Sequence, residues 1–220
     1  MKKYLISVLT IDIVDSKKYS PKKQPVVKKE IREAFSKINK EYKEILLLPI
    51  TPTIGDEYQG VVSPHWKILN LVDRFRTLLR LQGKNKIDLH ISIGMARGSI
   101  TKEKEARLQE GPAFYLSRDG IDWLKDNRTR RTKILTEDDP VNKLIDLILT
   151  YQDMILLNWT EAQWQAVSWR DQGLNLKEIG SKLDVAYQNI GKRLKAANFE
   201  NYIRGREFLE NYLKETPLTG

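Results

Sequence analysis

The stretch Ile50–Val62, ITPTIGDEYQGVV, decides the fold. Two short β-branched segments flank Gly55-Asp56, a tight-turn signal set in apolar alternation. They predict a hairpin with strands near Leu46–Ile54 and Glu57–Val62. Its Gly-Asp-Glu tip carries the carboxylates of Asp56 and Glu57 side by side. Upstream, Tyr4–Val14 (YLISVLTIDIV) is an apolar run with one acid inside it, Asp12, and Asp15 just beyond. A charge late in a buried strand is costly unless something pairs with it. The economical arrangement sets Asp12 beside the hairpin tip, with a divalent cation bridging it to Asp56. Hard cations such as magnesium take carboxylate and backbone oxygens and then hold substrate phosphates.

Amphipathic spacing predicts a helix from Pro25 to Leu46, before the hairpin, through Val27, Ile31, Phe35, Ile38 and Tyr42. A second runs from Trp66 to Leu81 and is stopped by Gly83-Lys84-Asn85. Lys86–Ile100 alternates as a strand, Gly111-Pro112 opens a helix over Ala113–Lys125, and Arg131–Leu135 supplies a last strand. The order β-α-β-β-α-β-α-β is a split βαβ arrangement of the ferredoxin-like type. An acidic, proline-ended segment, Thr136–Pro140, then marks a boundary, and only helices follow. Their expected spans are Val141–Leu157, Thr160–Gly173, Leu176–Leu183, Tyr187–Ala197 and Asn201–Leu213. Leu144, Leu147, Ile148 and Tyr151 are the expected face of the first, and Thr160 with Gln163 form a capping box for the second. The expected fold is therefore α+β. A ferredoxin-like domain covers residues 1–136, a linker and connecting helix 137–157, and an all-α helix-turn-helix domain 158–220.

The chain of 220 residues carries a net charge of +9, which suits a nucleic-acid or phosphate-bearing partner as well as a merely solvated surface. With no cysteine there is no disulfide framework, thiolate site or cysteine nucleophile, and two histidines leave little room for zinc. His90, on an alternating strand, reads as an ordinary strand residue. The acids Asp12 and Asp15 interrupt the apolar start, so no signal peptide, no membrane span and a cytoplasmic protein are expected.

The pieces LTIDIVDSKK, PTIGDEYQG, LHISIGMARG and GPAFYLSRDGI occur in that order, with helices between them. This order resembles the catalytic fold of class III nucleotidyl cyclases, which shares its palm-like core with GGDEF domains and many polymerases. Nearly the whole chain resembles the SatD family, in which such a domain precedes a helix-turn-helix. The resemblance implies that Asp12 and Asp56, with Glu57 beside them, hold Mg2+ or Mn2+, and that the Ile13 carbonyl is a further oxygen ligand. It implies that the turn with Asp15, Ser16 and Lys17 faces a nucleotide's phosphates. Departures stand beside these matches: Asp15 replaces a glycine, Pro52 a base-reading lysine, and Tyr115 to Asp119 the Asn and Arg of the cyclases. Arg118 takes the arginine's role only with a one-residue shift.

Leu176–Leu194, LKEIGSKLDVAYQNIGKRL, has the spaced anchors of a helix-turn-helix: Ile179, Leu183, Val185, Ile190 and Leu194. Gly180 allows the two helices to approach. The second helix offers Tyr187, Gln188, Asn189, Lys192, Arg193 and Lys195 with no acid among them. Amides suit adenine edges, Arg guanine and Lys phosphate, so double-stranded DNA is the expected partner, with a structural module as the competing reading. The last stripe, Phe199 to Leu213, suits either a homodimer seam or packing on the first domain. Three functions stay open: a DNA-binding regulator sensing a nucleotide with a divalent metal, an active nucleotidyl cyclase or oligonucleotide synthase, or a ligand-free domain used only for dimerisation.

Overall fold

The computed structural model describes residues 4–53, 55–63, 65–82 and 85–216. Its centre is a sheet of five strands: β1 (Tyr4–Ile13), β2 (Leu46–Pro52), β3 (Tyr58–Val62), β4 (Leu89–Gly98) and β5 (Thr132–Thr136). Their spatial order is β2-β3-β1-β4-β5. Pairs β1–β3, β1–β4 and β2–β3 are antiparallel, and β5 runs parallel to β4. The first four strands are thus a ferredoxin-like sheet, and β5 adds one strand beyond it.

Hairpin β2–β3 forms as expected, closed by the Thr53 N–H donating to the Glu57 carbonyl at 2.9 Å, with Gly55 left-handed at φ 70°. Ile54 lies outside the described residues. Helix α1 (Gln24–Glu41) ends earlier than the periodicity suggests, because Leu46 is already pairing with Val62. Helix α2 (Ile68–Thr77) begins after a 3-10 turn at His65–Lys67 and finishes in a π turn, Leu78–Gln82. The stop signal at Gly83-Lys84 lies outside the described residues.

Alternation along β1 separates two faces. Leu9, Ile11 and Ile13 join the larger core with α1 and α2. Ile6 and Val8 join a smaller one under α3 (Pro112–Asp126). That second face is partly polar. The Ser117 hydroxyl of α3 donates to the Phe114 carbonyl, so it accepts from Thr10 at 3.0 Å, and Thr10 in turn accepts from Gln59 at 3.1 Å. Two glycines let α3 lie this close. A Cβ on Gly94 would sit 2.0 Å from the Ala113 carbonyl oxygen, and one on Gly120 would sit 2.2 Å from Ser92 Oγ.

The remaining helices are α4 (Asp139–Leu157), α5 (Glu161–Asp171), α6 (Leu176–Leu183), α7 (Tyr187–Ala196) and α8 (Phe199–Glu215). The capping box of Thr160 with Gln163 is present at the start of α5. Helix α4 differs from expectation. Its buried face is Val141, Ile145, Leu149 and Leu156, whereas Leu147 and Tyr151 are 55% and 60% exposed. The reason is a carboxylate: buried Asp153 accepts from the Arg131 and Thr132 N–H groups, the Thr132 hydroxyl and Arg130 Nε, and so fixes which side of α4 meets β5.

Residues expected as a linker are therefore packed. Val141, Ile145 and Leu149 of α4, and Leu209 and Leu213 of α8, belong to the core beneath the sheet. Leu156 of α4 and Tyr202 of α8 belong to a second, helical core with Trp159, Trp164, Ile179, Ile190 and Leu194. At the junction, Asp73 of α2 accepts from the Tyr202 hydroxyl at 2.6 Å and from Arg206 at 2.8 Å, and Arg206 also pairs with Asp171. Most of the stripe that suited a dimer seam is spent on this packing within the chain; Phe208 stays exposed.

Candidate functional site

Asp12 is the penultimate residue of β1, 8% exposed, on the face that carries Thr10. The β1–β3 register runs to Ile11 opposite Tyr58, so Glu57 follows across from Asp12 and the hairpin tip places Asp56 beside them. On the other flank His90 of β4 is paired directly with Asp12. The last turn of α3 brings Lys125 over this group, its Nζ 2.6 Å from Glu57 Oε1. The hairpin, the end of β1, the start of β4 and the end of α3 thus meet at one end of the central strands.

The electrostatics follow from burial. Desolvation pushes the Asp12 carboxyl up to about 6, with Asp56 and Glu57 adding to the rise and Lys125 and the Ile13 N–H opposing it. Burial works against the Lys125 charge, but Glu57 and Asp12 outweigh it and hold its pKa above the ordinary value. His90 is 6% exposed and its two ring nitrogens have no hydrogen-bond partner. Burial, then the Arg131 charge, lowers it to about 4, so it is neutral at physiological pH.

Among the described residues no three His, Asp or Glu side chains converge closely enough to hold a metal ion by themselves. Magnesium asks for less, taking one or two carboxylates and completing its shell with water and substrate phosphates. A buried Asp12 with two more carboxylates alongside and a high proton affinity fits that lesser demand.

The phosphate-facing candidates lie apart from this cluster. Asp15 is left-handed at φ 54° and leads into a 3-10 turn, Ser16–Lys18. It makes no side-chain cap. Instead its carboxylate pairs with Lys18 at 2.5 Å, which lowers its pKa. Asp15 and Lys18 line an open groove with Lys23, Lys86, Asp88 and Arg131, whereas Lys17 points to solvent. Ile13 contributes its side chain to the sheet core.

Arg118 is exposed in the first half of α3, next to Ser117. Lys125 is about two turns further along the same helix face. The cation that reaches the carboxylates within one chain is therefore Lys125, not Arg118. Sequence reasoning missed Lys125 and His90. The alternation of β4 placed His90 on a known face, but not its lack of partners; Lys125 carried no signal at all.

Helix α6 is capped by Asn175 and ends at left-handed Asp184, φ 51°. A Cβ on Gly180 would lie 2.6 Å from the Val185 carbonyl oxygen, so this glycine does admit the turn between α6 and α7. Helix α7 buries Ile190 and Leu194. It exposes Tyr187, Gln188, Asn189, Lys192 and Lys195, with Arg193 half-buried. No helix among the described residues is long and apolar enough to cross a membrane.

The site therefore lies on a ferredoxin-like sheet, with carboxylates at the end of its first strand and at the adjoining hairpin. Residues 5–213 match the SatD family, and the chain belongs to that family. Among solved structures it is similar to a bacterial light-regulated adenylyl cyclase, at 11% identity over 61% of this chain and 77% of that one, TM-score 0.46. It is also similar to the guanylate cyclase domain of RhGC from Catenaria anguillulae in complex with GTP, at 20% identity over 54% and 73%, TM-score 0.40. A third is the guanylyl cyclase Cya2, at 17% identity over 56% and 71%, TM-score 0.40. No curated protein matches the chain.

Proposed function

We propose that this chain is a DNA-binding regulator whose cyclase-like domain takes a nucleotide or nucleotide-derived signal together with Mg2+ or Mn2+. The observation that carries the DNA reading is the exposed side of α7. Tyr187, Gln188, Asn189, Lys192 and Lys195 stand in solvent without an acid among them, on a helix seated by Ile190 and Leu194. Gln and Asn offer the paired donor and acceptor that an adenine edge asks for, and the lysines neutralise phosphates. Two chains pairing would present two such helices to paired half-sites.

The nucleotide reading is supported by the buried Asp12 with Asp56 and Glu57 at the same end of the central strands. A bound metal would supply positive charge to the phosphates. Asp12 and the hairpin acids would hold it, while backbone N–H groups of the turn at Asp15, Ser16 and Lys17, rather than the solvent-facing Lys17 side chain, would meet the phosphate chain. Helices α4 and α8 enter both cores, so a change at the sheet can reach α7 without a flexible tether. The second reading, turnover of a nucleoside triphosphate, is favoured by the same carboxylates.

Retention of duplex DNA at low salt, where backbone contacts are strongest, tests the first reading. Lys192→Ala and Lys195→Ala should each flatten the slope of log affinity against log salt by about one. No retention by the intact protein would overturn it. Release of labelled product from ATP or GTP would establish the second.

A further inference from the structure

Among the described residues, the three carboxylates of Asp12, Asp56 and Glu57 share one end of the central strands with one close ammonium. Lys125 Nζ is bonded to Glu57 Oε1 and counters the Asp12 charge. Opposite Asp12, both buried nitrogens of His90 lack a partner, so this pocket holds unmet polar groups beyond the acids themselves. We infer that Lys125 is the resident cation of this cluster, and that a divalent metal enters by exchange with its ammonium. The inference rests on the metal-binding reading above.

The energetics favour exchange. The Lys125 side chain is 39% exposed, so its ammonium can return to water, whereas Glu57, at 15%, stays with the cluster. Lysine in the last turn of α3 also meets the negative end of the helix dipole wherever its tip points, so releasing Glu57 leaves that contribution in place. A divalent ion brings twice the charge to three acids that one ammonium leaves undercompensated. Once displaced, Lys125 stands at the rim with its charge free for the phosphates that accompany the metal. It would then supply in this chain a cation that Arg118, about two turns away, does not bring to the cluster.

Titrating the full-length protein with Mn2+ alone, and reading free Mn2+ by electron paramagnetic resonance at pH 7.5 and low salt, tests this. Lys125→Met should bind Mn2+ about tenfold tighter than the unmodified chain, a coupling of ordinary size between two ligands of one site. Lys125→Arg, which keeps the charge, should bind as the unmodified chain does, and Asp12→Asn should lose binding. Equal or weaker binding by Lys125→Met, with the Asp12→Asn loss intact, would overturn the exchange and leave the metal reading standing. Absence of Mn2+ binding in the unmodified chain and in Lys125→Met alike would overturn both. Circular dichroism of each variant guards against a loss that is only unfolding.

Discussion

Asp12 should destabilise the metal-free protein at neutral pH, and Asp12→Asn should relieve it. The carboxyl is buried on the α3 side of β1, and its pKa of about 6 stands well above the ordinary aspartate value near 4. A raised carboxylate means that the folded chain holds its proton more tightly than the unfolded chain. Below the unfolded value both states are protonated and nothing is lost. As pH rises towards 6 the unfolded chain ionises first, and stability falls until the folded group has ionised too. The difference of about two units amounts to about 3 kcal/mol above pH 7, shrinking to about 1 kcal/mol near pH 4.5. Asparagine keeps the shape and never ionises. Urea unfolding of both proteins, without metal, should show the variant ahead by up to about 3 kcal/mol at pH 7.5 and the gap closing in acid. A variant less stable at pH 7.5, or a gain that does not change with pH, would refute the argument: Asp12 would then be hydrogen-bonded or paired well enough to belong there.

Three further outcomes follow from particular contacts. His90 is held neutral, so its ring proton signal, one of only two histidine signals in the chain, should stay flat from pH 8 to 5. Its folded pKa is depressed, so its contribution is present above 6.5 and lost as pH falls towards 4, by up to about 1.4 kcal/mol per unit, readable in the same urea series. Gly94→Ala forces a Cβ into the α3 backbone at Ala113 and Ser117, neither of which can yield like a side-chain tip, and should lower stability by about 1–3 kcal/mol or more in thermal melts. Asp153→Ala strips the N-terminal end of β5 of its acceptor and leaves Arg130 half-paired. It should cost about 3–5 kcal/mol and expose the backbone amides of Arg131 and Thr132 to hydrogen exchange.

Much of the fold was legible because it rests on short-range rules. The apolar run Tyr4–Val14, the alternation of Lys86–Ile100, the Gly55-Asp56 turn, Pro112 at the start of α3 and the Thr160–Gln163 box each act within a few residues, and each element appears where those signals lie. Helix α4 shows the limit. Its apolar arc is so wide that Leu144, Leu147, Ile148 and Tyr151 read as well as Val141, Ile145, Leu149 and Leu156. The choice fell to Asp153, whose carboxylate has to reach β5, a partner that spacing along α4 does not reveal.

The sequence alone determined the chemistry available at the candidate site: acids late in an apolar strand and at a hairpin tip, with a basic, acid-free helix near the other end. Only the tertiary structure decided their company. Packing of α3 against β1 and β4, set by the missing side chains of Gly94 and Gly120, carried Lys125 onto Glu57 and left Arg118 behind. Pairing of β4 with β1 set an unpartnered His90 against Asp12. Charges far apart in the chain interact strongly only where folding removes the water between them, and that removal is a property of the assembled layers rather than of any one segment.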